Sequence, residues 1–231
     1  MSIQNELNIL ANKSRSVLLA KYFKTGKGEY GEGDVFLGLT VPHQRTVAKK
    51  NKDLMHREVL ELLQNNIHEY RLTALLILVG KFEKGSDEER KQIVDLYLHN
   101  TKYINNWDLV DLSAPKILGE YLLHQKSKRK LIYTLAKSNN LWERRIAVLA
   151  TFVFLKQKDF LDSFAIAEIL LHDKEDLIHK AVGWCLREIG NVDLRAEEEF
   201  LKKHATMMPR TMLRYAVEKF SSEKRYWYMQ R

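Results

Sequence analysis

The chain has 231 residues, 45% of them hydrophobic, which excludes a disordered polymer and allows a substantial core. Lys and Arg number 38 against 30 Asp and Glu, and the resulting net charge of +8 favours polyanionic partners. One cysteine, Cys185, rules out an internal disulfide, and the histidines show no ligand spacing, so no metal or other cofactor is expected.

Apolar residues at three- and four-residue spacing predict helices over 7–23, 45–50, 55–64, 69–82, 87–98 and 106–123. The same spacing continues over 128–136, 142–155, 160–171, 174–189, 196–205 and 210–220. Turn and cap chemistry marks the breaks at 85–87, 137–140 and 190–193. The one non-helical stretch is a glycine-rich segment, 25–38, expected to be either a long surface connection or a backbone that passes close to a ligand. Its Gly26-x-Gly28-x-x-Gly31 matches the dinucleotide fingerprint in letters only, because a helix precedes it where a strand is required.

A basic residue followed by small or apolar ones recurs along the helices. Arg71, Arg145, Lys180 and Arg214 occupy that slot, with Lys180 following Arg145 by 35 residues and Arg214 following Lys180 by 34 (180 − 145 and 214 − 180). Helix pairs at this period predict an all-α solenoid of HEAT-like repeats, one domain over 1–231. In a solenoid, equivalent positions line up, so the four cations are expected to form a stripe on a concave, basic, DNA-binding surface. The plainer reading makes each a helix-end cation lying over the core.

The copy expected near residue 108 breaks the pattern. In Asn106-Trp107-Asp108-Leu109-Val110-Asp111 the basic slot holds Asp108, to which no role is assigned, and an interior slot holds Asp111. Trp107 lies four residues before Asp111, so a helix places both on one face. Taken singly, Trp107 and Trp184 fit core aromatics and Asp111 a structural ion pair. Together they read as a built site. Cys185, beside Trp184 in an apolar stretch, reads as core.

Three motifs, Asn106-Trp107-Asp108-Leu109-Val110-Asp111, Trp142-Glu143-Arg144-Arg145 and Gly183-Trp184-Cys185-Leu186-Arg187-Glu188, resemble in order and spacing the HEAT-like-repeat alkylpurine DNA glycosylases of the AlkD type. The resemblance runs from about Tyr22 to the end. It implies that Trp107 and Trp184 pack against the sugar, that Asp111 is the catalytic carboxylate, that Arg145 contacts a phosphate and that Tyr22 is accessory. Arg71, Lys180, Arg187 and Arg214 complete the expected DNA-binding set. The implied activity is base excision repair: hydrolysis of the N-glycosidic bond of cationic alkylpurines of the 3-methyladenine and 7-methylguanine type. It also implies attack while the base stays stacked, so no deep base pocket is expected.

The residue types suit that chemistry. Glycosidic cleavage builds oxocarbenium-like charge, which a carboxylate stabilises while it positions water. No second acid stands nearby in sequence, and none is needed for a base that already carries positive charge. The expected partner is double-stranded DNA containing alkylated purines. The expected protein is a monomer that binds no membrane and is cytoplasmic, near the nucleoid, since residues 1–6 lack the basic and apolar regions of a signal peptide. A non-catalytic HEAT-like protein that binds damaged or branched DNA is the alternative. The glycine-rich segment favours it, because the glycosylase pattern has a shorter connection there.

Overall fold

A computed structural model describes residues 1–230. Among them it contains α-helices and short 3-10 or π turns, no strand, and a single isolated bridge between Val35 and Ile67. The chain divides into two compact units, the first ending at Ile117 and the second beginning at Leu118.

The first unit contains α1 (Ile3–Ile9), α2 (Lys13–Tyr22), α3 (Val41–Lys50), α4 (His56–Leu63), α5 (His68–Lys84), α6 (Asp87–His99) and α7 (Trp107–Ser113). Its centre is α5, which packs against α1, α3, α4, α6 and α7. That helix is buried from His68 to Val79 without a gap, as a helix surrounded by neighbours must be. Side-chain caps set several starts: Asn12 accepts from the Arg15 amide at 2.9 Å, and Ser86 with Glu89 forms a capping box. The Asn12 cap is why the helix predicted over 7–23 is two helices, with a break at 10–12.

The glycine-rich segment is fastened to α5. Glu69, 1% exposed, accepts the backbone N–H groups of Leu37, Gly38 and Leu39 at 2.9, 2.7 and 3.1 Å. Gly38 has φ +88°, and a Cβ there would sit 2.2 Å from the Asn12 carbonyl oxygen, so no larger residue fits. Phe36 and Leu39 enter the core, and the segment is therefore only partly the surface connection expected. No strand precedes it, so its fingerprint has no dinucleotide context.

The second unit contains α8 (Glu120–His124), α9 (Lys130–Ala136), α10 (Leu141–Ala150), α11 (Phe152–Leu155), α12 (Leu161–Ile169), α13 (Asp176–Val192), α14 (Leu194–His204), α15 (Arg210–Ala216) and α16 (Ser222–Met229). Here α13 is central, against α10, α14 and α15. Successive repeat-bearing helices α10, α13 and α15 pack side by side, as stacked HEAT-like repeats do. A Cβ on Gly183 would lie 2.4 Å from the Met212 carbonyl oxygen, which explains glycine where α13 meets α15.

Two predicted helices are interrupted. Pro115, which lacks an N–H, opens a π turn over Pro115–Gly119 inside the predicted 106–123. Thr151, whose hydroxyl donates to the Val148 carbonyl at 2.8 Å, separates α10 from α11 inside 142–155. The terminal α16 was not predicted.

Candidate functional site

In the first unit, α7 begins at Trp107 because Asn106 caps it, accepting the Trp107 amide at 2.8 Å. Asp111 lies on the same helix four residues on, so the shared face follows from the backbone. Both side chains are half-buried. The inner side of α7 is held by Ser113, which donates to the Leu109 carbonyl at 2.5 Å and meets the buried Tyr97 hydroxyl at 2.9 Å.

An aromatic cluster backs Trp107. Phe23 stacks on it at 5.3 Å between centroids, and Tyr22, 63% exposed, meets it edge-on at 6.1 Å. Phe36, delivered by the glycine-rich segment, stacks on Phe23 at 5.1 Å and on His68 at 4.6 Å. Tyr22 and Trp107, paired only by resemblance in the sequence, are thus neighbours.

Behind these rings lies a charged network that sequence reasoning missed. His68 contacts Asp108 through Nε2 at 2.9 Å and Asp34 through Nδ1 at 3.3 Å. Asp34 also forms an ion pair with Arg71 at 2.7 Å and accepts from the Asn106 amide nitrogen at 3.5 Å. Burial alone pushes the His68 pKa down; the Asp108 charge and hydrogen bond, with Asp34's hydrogen bond, outweigh it and raise the pKa. Burial likewise raises Asp34, but the hydrogen bond from His68 and the Arg71 charge leave its carboxyl below the usual range. Asp34 and Asp108 therefore flank His68, and Asp34 also faces Arg71. A clue was present: Asp34 is a lone carboxylate beside Val35 and Phe36, and His68 precedes Arg71 by one helical turn.

The network corrects the expected stripe. Arg71 is 3% exposed and its charge faces Asp34, so it presents no cation to a polyanion. Arg145 is 5% exposed and donates to the Leu177 carbonyl at 2.6 Å. Lys180 pairs with Asp176 at 2.8 Å, and Arg214 alone of the four is fully at the surface. A row of four surface cations is not found, because helix starts in this array turn their basic residues toward neighbouring carbonyls and carboxylates.

In the second unit, the Trp184 indole donates to Glu188 at 2.9 Å and meets Phe152 edge-on at 4.8 Å, which fixes the ring plane. Arg187 bridges Glu188, at 3.3 Å, and Glu218. Cys185 is buried and its thiol is pushed up to about 12 by burial, so it is a core residue. Among the described residues, no cluster of three or more His, Cys, Asp or Glu side chains is placed to hold a metal ion. No helix among them is long and apolar enough to cross a membrane.

Stacked helical repeats of this kind define an α-solenoid, and the comparisons agree. The chain is similar to a structure described as a predicted DNA alkylation repair enzyme from Enterococcus faecalis: 18% identity, TM-score 0.72, 92% of this chain and 97% of that one. It is similar to AlkD2 from Streptococcus mutans, with 17% identity, TM-score 0.58, and 91% and 99% covered. No curated protein matches. The family model for DNA alkylation repair enzymes matches residues 3–220. The chain belongs to that family.

Proposed function

We propose that this protein is a monofunctional DNA glycosylase of base excision repair, acting on cationic alkylated purines in duplex DNA. The observation that carries the reading is α7. It presents Trp107 and Asp111 one turn apart, both half-buried, with the exposed Tyr22 against Trp107. Family membership supplies the class of damage.

In this reading the C1′–N bond breaks and its electron pair leaves with the base, which the alkyl group has already made cationic. Asp111 stabilises the oxocarbenium charge left on the sugar and orients a water. The water oxygen bonds C1′, and its proton passes through the carboxylate to solvent, leaving an abasic site and a neutral base. Trp107 offers a π face to the cationic sugar, worth roughly 0.5–2 kcal/mol. Arg214, exposed at the surface, supplies a phosphate contact, and Lys180 and Arg187, half-buried beside carboxylates, lie at the edge of that set. No lysine amine takes part, so no Schiff base or strand cleavage is expected.

The test is base release from methylated duplex DNA by wild type and Asp111→Asn, with binding of the same duplex followed in parallel. Wild type releases alkylpurine; the variant loses at least a hundredfold in rate and keeps its affinity. Release by the variant at wild-type rate refutes the carboxylate's role. Binding without release by either protein assigns the chain to non-catalytic DNA binders.

A further inference from the structure

A cavity of about 440 Å³ opens in the first unit between α3, α5 and α6, within the roughly 300–1,000 Å³ of small-molecule sites. Gly80, in its wall, follows His68 by twelve residues along α5 (80 − 68), about 18 Å at 1.5 Å per residue. The cavity therefore stands well away from the His68 network beside Trp107. None of its lining residues takes part in the chemistry proposed above.

Five cations line it: Arg45 and Lys49 of α3, Lys52 just beyond that helix, and Lys81 and Lys84 of α5. Among the described residues none of the five forms an ion pair, whereas the buried or half-buried Arg71, Arg129 and Arg144 each meet a carboxylate. Of the three carboxylates in the lining, Glu89 is taken up by the Ser86 cap, accepting its N–H and hydroxyl at 2.7 and 2.9 Å. Asp53 and Glu83 remain, both exposed. Cations gathered around a concavity focus their field inside it, where a compact multivalent anion gains most.

Gly80 points the same way. Glycine inside a helix is destabilising relative to alanine, and it is kept where a side chain would collide, as at Gly183. At Gly80 a Cβ would meet nothing within 4 Å, and φ is not positive. Packing therefore does not require this glycine, and it leaves bare a wall of the cavity that a ligand can approach closely. The negative end of a helix accounts for Lys49, Lys81 and Lys84, which stand in last turns, but for neither Arg45 nor Gly80.

We propose that this cavity binds a compact ligand carrying two or more linked phosphate groups, with Arg45, Lys49, Lys81 and Lys84 as its phosphate contacts. Guanidinium and ammonium groups donate charge-assisted hydrogen bonds to phosphate oxygens. A nucleotide and an inorganic polyphosphate share that chemistry. The apolar wall of Ala48, Leu76 and Ile77 favours the nucleotide, as do Asp53 and Glu83, since carboxylates accept from ribose hydroxyls.

Calorimetric titration of the whole protein with ATP, tripolyphosphate and orthophosphate, without added metal, tests it. Expected are saturable binding of ATP and tripolyphosphate, and binding of orthophosphate weaker by about tenfold or more. Tighter binding of ATP identifies a nucleotide as the source, and equal binding of the two identifies the phosphate chain itself. Lys49→Gln and Lys84→Gln, both at exposed positions, should each lose about tenfold. Gly80→Glu places a carboxylate on the bare wall and should lose about tenfold or more, with the melting temperature unchanged or raised because glutamate is the better helix former. Lys130→Gln in the second unit removes the same charge at an exposed position outside the cavity, and should leave binding within about twofold. No saturable binding, orthophosphate binding as tightly as ATP, or an equal loss with Lys130→Gln overturns the inference. Duplex DNA binding weakened by Lys49→Gln, with neither ATP nor tripolyphosphate bound, assigns these cations to the DNA backbone and also overturns it.

Discussion

Replacing Asp34 by Ala should unfasten the first unit from its interior. The side chain is 3% exposed and faces Arg71 at 2.7 Å, itself 4% exposed, and His68 at 3.3 Å. Removing one partner of a buried pair strands the other charge, which costs about 3–5 kcal/mol. The Asn106 contact at 3.5 Å is long and adds little. Amide exchange followed by mass spectrometry reads the effect locally, with α5 and α7 exchanging about a hundredfold or more faster at the lower end of that range, since 1.4 kcal/mol is tenfold. Asp34→Asn keeps the shape and should lose most of the same stability. A change under tenfold in both helices would refute the claim that the pair holds them together. The pH dependence has a definite sign. His68 has a raised pKa, so its contribution is complete below about 6.5 and is lost as pH rises through the folded value. Asp34 has a lowered pKa, so its contribution is present above about 3.8 and is lost as pH falls through the folded value. Wild-type protection of α5 should therefore peak between those limits, and Asp34→Ala should flatten the acid side.

Glu69→Ala removes the acceptor shared by three backbone amides, and limited proteolysis within 25–38 should accelerate at least tenfold while α13 stays protected. Glu197 is 1% exposed, and burial, helped by Glu198, raises its pKa to about 8. A raised carboxyl loses stability as pH climbs from about 4.5 to 8, so Glu197→Gln should raise the melting temperature at pH 8 and leave it unchanged at pH 4. Gly183→Ala drives a Cβ to 2.4 Å from the Met212 carbonyl oxygen and should cost about 1–3 kcal/mol in urea unfolding. Arg214→Ala should lower the slope of log affinity against log salt by about 0.9, the value for one phosphate contact; an unchanged slope takes Arg214 off the DNA.

The helices were legible because their signals are local. Three- and four-residue spacing and the Ser86 and Asn140 caps act within one or two turns, and most predicted segments meet an observed helix. What failed was continuity across Asn12, Pro115 and Thr151, where a single residue redirects hydrogen bonds that periodicity counts as unbroken. Exposure was the harder quantity. Arg71 and Arg214 occupy the same slot in the repeat, and nothing in their own segments says that one meets a carboxylate from residue 34 and the other meets solvent.

The glycine-rich segment shows the same limit from the other side. Its composition is read as either a surface connection or a backbone passing close to a ligand, yet Glu69 clamps its backbone and Asp34 and Phe36 reach the residues that support Trp107. Glycine at 38 is required by that clamp, since the backbone must pass Asn12 too closely for a side chain. The segment is therefore, in structure, part of what supports Trp107, the residue the proposed function places against the sugar. If Trp107 faces the sugar, then its orientation depends on a loop whose anchoring carboxylates lie about thirty to seventy residues from the partners they hold, a separation that no short motif can display.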